Sequence, residues 1–133
     1  MLRRQRVILS GLSSESCTGY TEYVVNGFLV GLQFTTNTTD AAATGVLGTT
    51  GAIAVRGEKT GLTYYSNTTG GPIPGSLFPV CQLCSSSGGL LGDSTAPIIS
   101  FFPVVEERIK VATSGGTSNA PFSFNCFVLT QGA

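Results

Sequence analysis

Apolar and β-branched residues recur along the chain in short runs that alternate with polar positions and are cut by Gly, Pro and Asn. Runs with a period of two predict strands. The first covers residues 4–10. The second covers 21–25, Asn26-Gly27 follows at once, and residues 28–35 resume the apolar pattern. An Asn-Gly pair between two apolar runs predicts a tight hairpin. The competing reading is a bulge or bend in one long strand. Residues 36–50 are mostly Thr, Ala and Gly and read as a loop. Residues 52–55 and 62–65 are short strands joined by a turn over 56–61. A long Gly- and Pro-containing turn over 67–75 comes next. Residues 77–84 and 98–105 are further strands, each bordered by Pro. Residues 108–113 alternate cleanly, with Ile109 and Val111 on one face and Arg108 and Lys110 on the other. Ser114-Gly115-Gly116 is a turn, and residues 122–130 form the last strand.

Eight or nine short strands at this spacing predict an all-β fold, an antiparallel β-sandwich or jelly roll. Helix formers are scarce, with one Met and few Lys, Arg and Glu, so no helix of ten residues is expected. The chain reads as one domain over residues 1–133, with residues 1–6 as an extended N-terminal arm. The last strand carries a further signal. Phe122, Phe124, Cys126 and Val128 share the core face, while Phe127 and Leu129 lie on the other face with Asn125. A strand with one wet face is polar there. This one predicts cover on both sides, from a neighbouring subunit or from a loop.

Composition sharpens the class. Only 11% of the residues are charged, against roughly 25% in ordinary soluble domains. Gly, Ser and Thr fill the gap, with 49 residues among them. Thr suits strands, and Ser and Gly suit turns. Seven basic residues balance seven acidic ones. Free monomers usually carry net charge that keeps copies apart, so a neutral surface suits burial against other subunits. The longest apolar stretches, about 5–7 residues, fall short of the roughly 20 needed to span a bilayer as a helix, and no membrane association is expected. The opening run has a basic head, but its apolar stretch stops at Ser10, a poor match to a secretory leader.

Candidate chemistry is sparse. There is no histidine, which removes the usual general base and the commonest metal ligand. The acids Glu15, Glu22, Asp40, Glu58, Asp93, Glu106 and Glu107 sit mostly at turn positions. The inventory points away from an enzyme and requires no cofactor. Cys81-Gln82-Leu83-Cys84 has metal-ligand spacing, but Cys17 and Cys126 are isolated rather than a second close pair. The four cysteines read as free thiols packing as small apolar groups. A disulfide and a metal site are the competing readings. Two N-glycosylation patterns, at Asn37 and Asn67, arise readily by chance in a Thr-rich chain. Arg3, Arg4 and Arg6 are three of the seven basic residues. They can pair with carboxylates or phosphates on a partner. A nucleic-acid binder is basic overall and this chain is neutral, so a protein partner is expected.

Three features carry a resemblance. One is the strand broken at Asn26-Gly27 and continued as Phe28-Leu29-Val30-Gly31-Leu32-Gln33-Phe34. Another is Glu107-Arg108-Ile109-Lys110-Val111 followed by Gly115-Gly116. The third is the closing strand up to Leu129. Together they touch about half the chain, and the pattern resembles small all-β virion proteins of tailed bacteriophages, the head decoration or cement type. That resemblance implies a sandwich or jelly roll seated on the capsid surface of the virion, bound to the major capsid protein or other virion proteins, often as a trimer. It implies no catalytic residues. Arg3, Arg4 and Arg6 are then candidate anchors to the shell, and Phe127 and Leu129 candidate subunit contacts. A head–tail or tail component is the first alternative. A carbohydrate-binding or adhesin-like module, using Tyr20, Tyr23, Tyr64 and Tyr65, is the second.

Overall fold

A computed structural model describes residues 2–12, 16–36, 46–47, 52–67, 71–72, 75–83, 85–92, 95–96, 98–114 and 121–132. The strands in chain order are β1 (Leu2–Leu12), β2 (Cys17–Tyr20), β3 (Val25–Thr36), β4 (Val46–Leu47), β5 (Ala52–Gly57) and β6 (Thr63–Asn67). They continue as β7 (Gly71–Pro72), β8 (Ser76–Leu77), β9 (Val80–Gln82), β10 (Ile99–Glu107), β11 (Ile109–Ser114) and β12 (Pro121–Gly132). No helix occurs among the described residues. One sheet has six strands in the order β1-β12-β3-β10-β9, with β8 also on β3, and a second has four, in the order β2-β11-β5-β6. All pairings are antiparallel, and β4 and β7 form a separate two-stranded ribbon. The fold is a β-sandwich, with ten strands in its two sheets among the described residues rather than the expected eight or nine.

The period-two pattern explains the core. The six-stranded sheet contributes Val7, Leu9, Leu29, Leu32, Phe34, Val104, Phe124, Cys126 and Val128; the four-stranded sheet contributes Ile53, Val55, Tyr64, Ile109 and Val111. Burial of this apolar surface is the main driving force, at about 25 cal/mol per Å² removed from water. The alternation expected for residues 108–113 holds: Ile109 and Val111 are fully buried while Lys110 is half-exposed. Phe34 packs on Phe124 with ring centroids 5.9 Å apart, and Tyr64 meets Phe102 edge-on at 5.2 Å.

Several boundaries differ from the sequence-based expectation. Asn26-Gly27 is not a hairpin turn, because β3 runs through it without a break. A side chain at Gly27 would collide with the Gln131 carbonyl, so the glycine serves close approach of β12 rather than a reversal. Residues 21–24, expected within a strand, form the link between β2 and β3, and the strand lies earlier, at Cys17–Tyr20. Thr21 fixes that link: its hydroxyl donates to the Tyr23 carbonyl (3.1 Å) and accepts from the Ile109 N–H (3.0 Å). The run over 77–84 splits into β8 and β9 around Phe78 and Pro79. Most of the expected loop over 36–50, part of the turn over 67–75 and the turn at Gly115-Gly116 lie outside the described residues.

β10 and β11 belong to different sheets yet are almost continuous in sequence. The corner between them is a bulge: register shifts between Val104 and Glu107, and Glu106 has φ of 50°. That left-handed conformation turns the chain and aims Glu107 inward, where it is 2% exposed. Its carboxylate accepts from the Lys59 and Thr60 N–H groups (3.2 and 3.0 Å), the Thr60 hydroxyl (2.9 Å) and the Tyr64 hydroxyl (3.4 Å). Burial alone raises a carboxyl pKa, but these donors together outweigh it and hold Glu107 below the usual carboxylate range. The same contact, after burial itself, pushes the Tyr64 phenol up to about 12. On the outside of the corner, Arg108 makes a two-pronged ion pair with Glu58 (2.7 and 2.8 Å) and lies 4.6 Å over the Tyr20 ring.

Candidate partner-binding face

β1 pairs with β12 along its whole length, from Leu2 opposite Gln131 to Leu12 opposite Pro121. Residues 2–6, expected as an extended arm, are extended but laddered onto β12. Arg4 lies opposite Leu129 and Arg6 opposite Phe127. Val7 and Leu9 face the core, so the two-residue period puts Arg4 and Arg6 on the outer face and Arg3 and Gln5 on the inner side. Four of the five sequence-predicted contact residues therefore share one patch: Arg4, Arg6, Phe127 and Leu129. Arg3 stands around the strand edge from them.

The second cover of Phe127 and Leu129, anticipated from the apolar pattern, comes in part from the chain itself. The Arg4 guanidinium sits 4.6 Å above the Phe127 ring centroid. Across the strand, a Cβ at Gly31 would lie 3.3 Å from both the Leu77 carbonyl and the Phe78 ring, and 3.4 Å from Leu129 Cδ1. The segment after β8 thus packs over Gly31 beside Leu129. Both side chains remain half-exposed.

A recess of about 560 Å³ runs along the outer edge of β1, lined by Arg3, Arg4, Gln5, Arg6, Glu22 and Tyr23. Gln5 builds its wall. The side-chain amide donates to the Tyr23 carbonyl (3.3 Å) and accepts from the Tyr23 N–H (2.9 Å), pinning the β2–β3 link against β1. A second recess of about 400 Å³ shares Arg3 and Gln5 and extends toward Val24 and Asn26. Arg108–Glu58 is the ion pair found among the described residues, so none of the three arginines has a carboxylate within pairing distance there. Among the described residues, Glu22 is the one acid lining the recess.

Farther along the same outer face, β3, β9 and β10 carry an apolar row, which sequence reasoning missed. Pro103 pairs with Phe28 and Phe101 with Val80. Phe28 is 40%, Val80 42% and Val105 72% exposed. Strand alternation in residues 99–105 carried the signal, because Phe101, Pro103 and Val105 stand out of phase with the buried Val104.

Among the acids, Glu106 is exposed and Glu107 buried, so the adjacent pair does not converge; Glu15, Asp40 and Asp93 lie outside the described residues. The tyrosines do not form one exposed platform. Tyr64 is buried, Tyr65 packs on Phe34 at 6.2 Å, Tyr20 lies beneath Arg108, and Tyr23 is 63% exposed. Cys17, Cys81 and Cys126 are free thiols; Cys84 lies outside the described residues. Burial pushes the Cys126 thiol up to about 12. Comparison with family models, curated proteins and solved structures finds no match.

Proposed function

We propose that the chain is a non-enzymatic structural subunit of a phage virion, a decoration or cement protein that binds the outside of a head shell and reinforces it. The observation that carries this reading is the apolar row across the outer face of the six-stranded sheet, through Phe28, Phe101, Pro103 and Val105. Exposed apolar rows of this kind mark surfaces that other proteins cover. Zero net charge supports the same reading, since copies packed side by side do not repel.

The mechanism is burial across subunit joints. The apolar row packs against neighbouring copies, with a trimer as the favoured homo-oligomer, and Arg3, Arg4 and Arg6 engage the major capsid protein or other virion proteins. Multiplicity turns weak single contacts into firm attachment. Neither catalytic residues nor a cofactor take part.

The test mixes purified chain with undecorated head shells and follows cosedimentation and the temperature at which shells open. Saturable binding with a raised opening temperature is expected. A chain that stays monomeric and leaves the shells unbound and unstabilised overturns the reading.

A further inference from the structure

We propose that the N-terminal half of β1 is an acceptor edge for one extended, carboxylate-bearing segment of a partner protein, which adds to the sheet as a strand. The idea rests on the structural-subunit reading for the existence of a protein partner, and it specifies the chemistry and manner of attachment.

The edge is divided in two. β2 lies against its distal half: a Cβ at Gly19 would stand 2.6 Å from Val7 Cγ1 and 3.6 Å from the Ile8 carbonyl oxygen. Cys17 Sγ donates to the Ser10 carbonyl at 3.5 Å. Those two carbonyls face β2. Peptide groups two residues apart along a strand point the same way, so those of Arg4 and Arg6 face that side as well. There, among the described residues, no strand pairs with β1, and the recess lined by Arg3, Arg4, Arg6, Glu22 and Tyr23 lies open. An unpaired strand edge is a template for a further strand.

Charge selects the occupant. Arg4 and Arg6 project from the same face two positions apart, and Arg3 projects from the other. None has a carboxylate partner among the described residues. A strand added here places its own side chains opposite them, with cross-strand neighbours about 5 Å apart. Two acids separated by one residue then meet Arg4 and Arg6 on the outer face. Guanidinium groups grip carboxylates with two parallel hydrogen bonds. Many edge strands carry cations merely to repel other strands. The wall built by Gln5 and Tyr23 makes this edge the floor of a slot instead.

The experiment uses a fluorescent peptide with the core Val-Glu-Val-Glu-Val and the full chain, read by anisotropy. Saturable, salt-sensitive binding is expected. It should weaken by about tenfold or more in the R4A/R6A double variant, with folding checked by its thermal melt. A second peptide keeps every charge but carries N-methyl groups on alternate backbone amides, in two versions, one for each edge. One version should bind about as well as the parent and the other at least about tenfold worse. Equal binding by both, or equal binding of a polyphosphate of matched charge, overturns strand addition in favour of plain charge attraction. Absence of peptide binding overturns it too. Peptide binding without shell binding sinks the decoration reading alone, and shell binding without peptide binding sinks this one alone.

Discussion

The missing side chain of Gly57 is what admits the carboxylate of Glu107: a Cβ built at position 57 would overlap Glu107 Oε1 and crowd the Thr60 hydroxyl. One residue at the end of β5 thus sets the shape of the cavity that receives a charge from the corner between β10 and β11. The acid gains its hydrogen bonds because the turn after Gly57 wraps back over it.

G57A is therefore expected to destabilise the fold by about 2 kcal/mol or more, as overpacking of a closed site does. Because the new methyl group and the carboxylate compete for one space, the G57A/E107A double variant should cost less than the sum of the single changes, by about 1 kcal/mol. Urea unfolding of the four proteins checks this; strict additivity means the two residues are not coupled.

Glu107 also gives the acid limb of stability a sign. Its folded-state pKa lies below the ordinary value of 4.5, so its contribution is complete above that value and is lost as pH falls through the folded pKa. E107Q should lower stability near neutral pH by about 2 kcal/mol, the worth of hydrogen bonds to a charged group, and flatten the decline in acid. E58A is the contrast. Glu58 is also held low by its hydrogen bonds to Arg108, but solvent screens that surface pair. Its removal should leave the acid limb nearly unchanged in the same unfolding series.

The alkaline limb has the opposite sign. Cys126 and Tyr64 both hold their protons up to about 12 in the fold, against ordinary values of 9 and 10. Stability is complete below those ordinary values and falls as pH rises through the window, by up to about 1.4 kcal/mol per pH unit for each proton. C126A should delay the onset of the decline, and Y64F should reduce the part between 10 and 12. Unfolding free energies measured against pH decide; an unchanged slope in both variants means that other groups control the limb.

For the outer face the expectation concerns association rather than folding. Val105 and Phe101 are exposed, so V105S and F101S should each change stability by less than about 0.5 kcal/mol. Together they should shift the chain toward monomer in sedimentation velocity. An unchanged distribution would show that this row is not the subunit joint.

Much of the architecture was legible because period-two alternation survives wherever a strand has one buried face. Ile109 and Val111 against Arg108 and Lys110 is the clearest instance, and Phe124, Cys126 and Val128 the next. Asn26-Gly27 misled, since the same dipeptide that makes a turn also permits close backbone approach, and only the neighbouring Gln131 distinguishes the two. The Arg4–Phe127 stack was half legible: both residues stood out, but their juxtaposition depends on a long-range register that sequence does not encode locally. Glu107 was the least legible. Its burial arises from the positive φ of Glu106 and the open space at Gly57, two backbone facts spread across a long sequence separation.

Gly19 brings β2 close against the side of β1. A sheet with a fully open edge invites another whole sheet, then another, and such addition ends in fibres. Here β2 stands in the lane beside the distal part of β1, so only a short stretch near Arg4 and Arg6 accepts a ladder. A second sandwich approaching edge-on meets that obstruction after a few rungs. Copies of the chain can be crowded together on a surface at high local concentration without polymerising through this edge.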